Sequence, residues 1–294
     1  MLASPLREYS IRRGGAMADN TQPSAAVITC HRSGFSRGLT WITREGEAQL
    51  DTGIDFGILR MGRGERLSEP TAKETAWVLF SGQAEVEVGG LRAAVSRASL
   101  FDEAPTVVHV PAGAQARIEV TSEEAEWGVV CTTNPKAFEP RIFFPRDIQN
   151  ELRGKGLVQE GALRVVRLAF DLNHRPESNL VLGEVINFPG RWSSYPPHHH
   201  AQTELYHYRF TLPQGYGHAE LGDEVYKVRQ FDTVKILGGL DHPQVSAPGY
   251  GMYYLWIVRH QPGNPYRGFE FSEEHRWLLD ARQQGWRPAD AGER

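Results

Sequence analysis

The chain has 294 residues and a mass of 33.0 kDa, enough for one large domain or two of ordinary size. A hydrophobic share of 40% with 10% aromatics suits a packed core and excludes a wholly disordered chain. A net charge of -4 and a pI near 6.3 leave no electrostatic footprint for nucleic acid, and no apolar run approaches the roughly 18 residues of a membrane span.

The opening stretch MLASPLREYSIRRGGAMADN is basic but lacks the apolar core, about 7–15 residues long, that a signal peptide needs. Residues 1–26 are therefore expected to be a leader outside the fold, with Met17 as an alternative start. From residue 27 to 135 short apolar runs alternate with turn residues, as in TAWVLFSGQAEVEVGGLRAAV and TVVHVPAGAQARIEV. VEVGGL is a two-residue Gly-Gly hairpin signal between alternating strands. TTNPKAFEPRIFFPRD, broken by three prolines, reads as a connection, and PRDIQNELRGKG as a short helix with Asp147 at its N-cap and Gly154 near its end. The β pattern then resumes through ALRVVRLAF, LVLGEVINF, ELYHYRFTL, EVYKVRQFDTVKIL and GMYYLWIVRH. SLFDEAPTVVHVPAGAQARI can be laid on RQFDTVKILGGLDHPQVS, which suggests a duplicated unit. Two β-rich halves, 27–135 and 136–294, account for the length. Short strands at this spacing predict a sandwich or barrel in each, with few short helices. Cys30 and Cys131 fit neither a zinc spacing nor a disulfide framework, so a reducing cytoplasm is the simplest compartment.

The chemistry concentrates in GRWSSYPPHHHAQTELYHYRF. Side chains alternate along a strand, so His198 and His200 project together and His199 points away. Glu204, an even number of positions on, can share their side. His242, in the turn GGLDHPQV, offers a fourth donor if the second half closes into a barrel. Three imidazoles and a carboxylate suit Zn, Fe, Mn or Ni and leave positions open for substrate or water. The first half has no such set: SEPTAKETAW offers Glu69 and Glu74 without a histidine, so that barrel is expected to be metal-free.

A His-x-His pair, a Glu soon after and a later His behind a glycine turn is the layout of the cupin superfamily. The match runs further: GRWSSYPPHHHAQTELYHYRF, QGYGHAEL and HPQVSAPGYGMYYLWIV, with GERLSEPTAKETAWVLFSGQAEVEV in the first half, resemble the 5-deoxy-glucuronate isomerase family of inositol catabolism. That family is similar to the 4-deoxy-5-hexosulose-uronate ketol-isomerases, bicupins that hold zinc through three His and one Glu. The resemblance implies an all-β bicupin of two tandem barrels. It also implies one divalent metal per chain, Zn foremost, on His198, His200, Glu204 and His242, and no nucleotide cofactor. Three residues, AQT, separate His200 from Glu204 where the uronate isomerases have four, a spacing that cupin motifs tolerate.

The implied reaction is the aldose–ketose isomerisation of 5-deoxy-glucuronate to 5-dehydro-2-deoxy-gluconate through an enediolate. It needs a base, a Lewis acid and a cation for the substrate carboxylate. Glu184, just before the histidine loop, is a candidate base, with Tyr195 and Tyr254 as candidate hydroxyl donors. Arg209 and Tyr253 are candidate substrate-binding residues, although Arg209 has the opposite strand phase to Glu204 and needs a bulge to face it. Rival readings are a ketol-isomerase of another deoxy-uronate, an Fe(II) cupin dioxygenase and a non-catalytic sugar-binding bicupin. Sheet edges in such barrels are commonly covered by a second copy, so a homo-oligomer is expected.

Overall fold

Antiparallel strands account for most of the regular secondary structure in the computed structural model, which describes residues 8–9, 26–283 and 285–288. The first half is organised by the 15-residue strand Glu74–Val88. Its first part pairs with Glu124–Thr132 and Val107–Val110, its second with Leu91–Arg97 and Ala116–Val120. Gly82 allows the change of partners: its φ is +100°, and a Cβ there would lie 2.4 Å from the Glu124 carbonyl oxygen. The Gly89-Gly90 hairpin forms as expected, with both φ positive and Val88 opposite Leu91. Leu59, Met61, Trp77, Leu79, Trp127 and Val129 fill this barrel.

In the second half, Arg164–Phe170, Leu180–Asn187, Met252–Arg259, Glu204–Phe210 and Thr233–Ile236 lie side by side in one sheet. A four-stranded sheet, Trp192–Ser193, Gln244–Ser246, Tyr216–Leu221 and Glu224–Arg229, completes the second barrel. Its core holds Val166, Val185, Tyr206, Tyr208, Met252 and Tyr254. Every residue of Leu180–Asn187 and Glu204–Phe210 is buried, because the two faces of these strands meet different cores. The outer face packs on the first barrel, with Phe56, Ile58, Val78 and Phe80 in one cluster with Leu182, Leu205, Leu255 and Ile257. The repeated Phe-Asp segments are structurally matched: Val107–Val110 pairs with the strand opening at Glu74, and Thr233–Ile236 with the strand opening at Glu204.

Three expectations change. The segment PRDIQNELRGKG does not run on as a helix from Asp147. The carboxylate of Asp147 accepts the Phe144 N–H at 2.9 Å and closes a single 3-10 turn, Pro145–Asp147, after which Glu151–Arg153 runs as a strand beside Arg164–Val166. Val27–Ile28 does not join the first barrel but extends the sheet of the second, opposite Thr233 and Val234. Of the expected leader, Glu8–Tyr9 pairs in parallel with Arg66–Leu67, while the remainder up to residue 25, Met17 included, lies outside the described residues. A 3-10 segment, Glu273–Leu279, lies near the end of the described residues. No helix among the described residues is long and apolar enough to cross a membrane.

Candidate metal centre

The histidine loop is held by pairing at both ends. Trp192–Ser193 lies against Gln244-Val245, and His198–His199 against Glu270–Phe271. His200 then turns into Glu204, the first residue of its strand, while His242 arrives on the turn that leads into Gln244–Ser246. The two turns are fastened by the Gly239 N–H on the His200 carbonyl at 2.7 Å. Gly238 must be glycine for them to approach, since a Cβ would lie 1.9 Å from the Ala201 oxygen.

The result is a buried group in which one ligand atom each of His200, Glu204 and His242 lies within 4.8 Å of the other two. Glu204 Oε2 is 3.1 Å from His200 Nε2 and 3.3 Å from His242 Nε2. His198 adjoins the group: its ring centroid is 4.9 Å from that of His242, and its ring stacks on Phe269 at 4.0 Å. All three imidazoles are tethered alike. Nδ1 of His198, His200 and His242 donates to the carbonyls of Pro196, Gln202 and Leu240 at 3.2, 3.0 and 2.8 Å. A carbonyl can only accept, so Nδ1 carries the proton and Nε2 is left with a free lone pair. Such tethering orients histidine ligands in metalloproteins. His242 Nε2 is buried without a hydrogen-bond partner, an orphan that a cation would satisfy. Burial and the neighbouring His242 push the His198 imidazole down to about 2, and burial also lowers His242, so both are neutral and able to ligate. The donor set therefore fits a divalent ion bound by nitrogen and oxygen.

This group opens on a cavity whose walls include Arg164, Ser194, Tyr206, Tyr254, Tyr266 and Phe269. Tyr254 Oη donates to Ser193 Oγ at 2.8 Å, and Ser194 Oγ lies 2.9 Å from Tyr206 Oη and 3.5 Å from Tyr254 Oη. Burial raises both tyrosines, which keeps them protonated and able to donate.

Of the residues singled out in the sequence, His198, His200, Glu204, His242 and Tyr254 come together here. Glu184, Arg209 and Tyr253 do not. Leu180–Asn187 puts Val185 beside Tyr254 on the inner face, so Glu184 points outward into the seam between the barrels. There it accepts two bonds from Arg97, at 2.7 and 2.8 Å, and one from the Tyr253 hydroxyl at 2.6 Å. Glu204–Phe210 keeps an unbroken register with no bulge, so Arg209 is also turned outward, where it pairs with Glu126 at 2.6 Å and covers the Phe231 ring. Tyr195 lines a neighbouring apolar groove, and its ring lies 5.5 Å from that of Trp192. In the first barrel, Glu74 is saturated by His109, Asn134, Ser178 and the Asn179 N–H. Sequence reasoning missed Arg164, Tyr206, Tyr266 and Phe269. For Arg164 the signal was its shared phase with apolar Val166 in LRVVRLAF, which fixes a face but not a neighbour.

The sequence model of the KduI/IolB family matches residues 28–278. The chain belongs to the KduI/IolB family. A KduI/IolB relative, the 5-deoxy-glucuronate isomerase of Geobacillus kaustophilus (strain HTA426), is 26% identical over 284 residues, 88% of this chain and 97% of that protein. Among solved structures, an IolB-like protein from Salmonella typhimurium LT2 is 24% identical and superposes with a TM-score of 0.71, over 83% of this chain and all of that one. A cupin 2 conserved barrel domain protein from Leptotrichia buccalis, 13% identical, gives a TM-score of 0.50 over 81% of this chain and 98% of that one. The fold is thus an all-β bicupin, and the KduI/IolB chain is an enzyme of the isomerase class.

Proposed function

We propose that the chain converts 5-deoxy-glucuronate to 5-dehydro-2-deoxy-gluconate, an aldose–ketose isomerisation of inositol catabolism, with one divalent ion, zinc, held by His198, His200, Glu204 and His242. The observation that carries this reading is the common tethering of the three imidazoles, each with Nδ1 tied to a carbonyl, with Nε2 of His200 and His242 turned onto Glu204 and the His198 ring beside that of His242. The ion, when bound, supplies Lewis-acid polarisation of the substrate's carbonyl and hydroxyl oxygens. The protein supplies the surroundings. Tyr254 Oη, Ser194 Oγ and Tyr206 Oη form a hydroxyl chain that can move a proton between the first and second oxygens of the substrate. Tyr266 and Phe269, from the segment that crosses His198 and His200, wall the cavity against water. The reading includes a cytoplasmic setting, supported by two unpaired cysteines. It also includes a homo-oligomer, supported by the edge strand Glu224–Arg229, which is paired on one side only among the described residues and exposes Val225. Turnover of 5-deoxy-glucuronate by the purified protein, abolished by a chelator and restored by zinc, is the expected result. Absence of turnover after loading with Zn, Mn(II) or Fe(II) contradicts it.

A further inference from the structure

Arg164 is a buried cation that no side chain neutralises. It is 8% exposed, and its Nη1 donates only to main-chain oxygens, at 2.9 Å to Ala162 and 3.4 Å to Tyr195. No carboxylate among the described residues lies within ion-pair distance of it. Other buried arginines of this molecule differ. Arg97 and Arg167 share Glu184, and Arg209 has Glu126. Arg175 has no ion pair either, but it ends on the Glu139 carbonyl and the Phe138 ring, away from the histidine cavity.

Two further observations aim Arg164 at a ligand. It shares the inner face of its strand with Val166 and lines the same cavity as His198, Glu204 and Tyr254. The other cation in that wall, Arg153, is spent on Glu151 at 2.9 Å. The acidic side chain of the wall is Glu204, and a divalent ion bound there would take up its charge. The loaded cavity is then positive, with a guanidinium in its wall that no carboxylate among the described residues pairs. A buried charge of that kind calls for an anion with planar, paired acceptors.

We propose that Arg164 binds the carboxylate of the substrate, so that the site selects sugar acids over neutral sugars and holds them with the carbonyl end toward His200, Glu204 and His242. The inference rests on the isomerase reading for its substrate, and it moves the carboxylate contact from Arg209 to Arg164.

The test is calorimetric binding of glucuronate and of glucose to zinc-loaded wild type, Arg164→Gln and Arg164→Lys, with metal content measured on each sample. The expected result is that wild type prefers glucuronate, and that Arg164→Gln loses glucuronate affinity by about tenfold or more, the usual cost of a charge-assisted hydrogen bond. Glucose binding and zinc content stay as in wild type. Arg164→Lys, which keeps the charge without the fork, falls between the two and serves alone should the glutamine variant not fold. Wild-type glucuronate affinity in either variant overturns the inference, as does a wild type that binds glucose as well as glucuronate. Binding is read without turnover. A protein that discriminates glucuronate through Arg164 yet leaves 5-deoxy-glucuronate unchanged would sink the isomerase reading and uphold this one.

Discussion

Glu184 shows what a buried carboxylate does when cations surround it. It is fully enclosed, ion-paired to Arg97 and close to Arg167 at 3.5 Å, and it accepts the Tyr253 hydroxyl. Removing one partner of such a pair leaves an uncompensated charge, so Glu184→Ala should destabilise the fold by about 3–5 kcal/mol in denaturant unfolding. Metal content per folded molecule should not change. Full stability with lost turnover would return Glu184 to the active site. His207, on the same seam, gives a pH dependence of known sign. Arg209 donates to its Nε2 and its Nδ1 faces Thr233 Oγ1 at 2.8 Å, so the ring is neutral. Burial, with Arg209 beside it, lowers its proton affinity well below the ordinary value of 6.5. The unfolded chain therefore binds a proton that the folded one refuses. This contribution to stability is present above about pH 6.5 and is lost as the pH falls below it. Wild type should melt lower at pH 5 than at pH 7.5, and His207→Gln should flatten that difference. An unchanged pH dependence in the variant would contradict the assignment.

At the scale of elements, the centre depends on two turns brought into contact at Gly238. A methyl there would collide with the Ala201 carbonyl next to His200. Gly238→Ala should push the turns apart and lower metal affinity by about 10–100-fold, the range seen when a supporting residue around a metal is altered. Unaltered metal binding in a folded variant would show that the approach is not needed. This pair of turns also explains what the sequence makes legible. His198, His200 and Glu204 lie within seven positions, and the glycine pair before His242 marks its turn, so their meeting can be read locally. Arg164 and Phe269 reach the cavity from opposite ends of the second half: strand pairing sets the phase of Arg164 relative to Glu204, and Phe269 precedes the short strand that pairs with His198–His199. Glu184 is misread for a related reason. In a strand with both faces buried, alternation shows which residues share a face but not which face holds the site.

For the whole molecule, the seam between the barrels is the common wall of both cores. Phe56, Ile58, Val78 and Phe80 cannot be separated from Leu182, Leu205, Leu255 and Ile257 without exposing both sets to water. Val27–Ile28 adds a covalent tie by crossing from the first half into the second sheet. The chain should therefore unfold in one calorimetric transition, with equal van't Hoff and calorimetric enthalpies. Two resolved transitions would show that the halves are independent. Duplication is legible as a pattern of strands, whereas the burial of charged residues such as Arg97 and Arg209 between the copies follows from how the barrels stack.

The central claim is the metal centre, and its most direct test is elemental analysis of the purified protein beside His200→Ala/His242→Ala. The account predicts one divalent ion per wild-type chain and none in the variant, with both folded by circular dichroism. Wild-type protein that stays metal-free after reconstitution with Zn, Mn(II) or Fe(II), or a variant that binds as much as wild type, would contradict it.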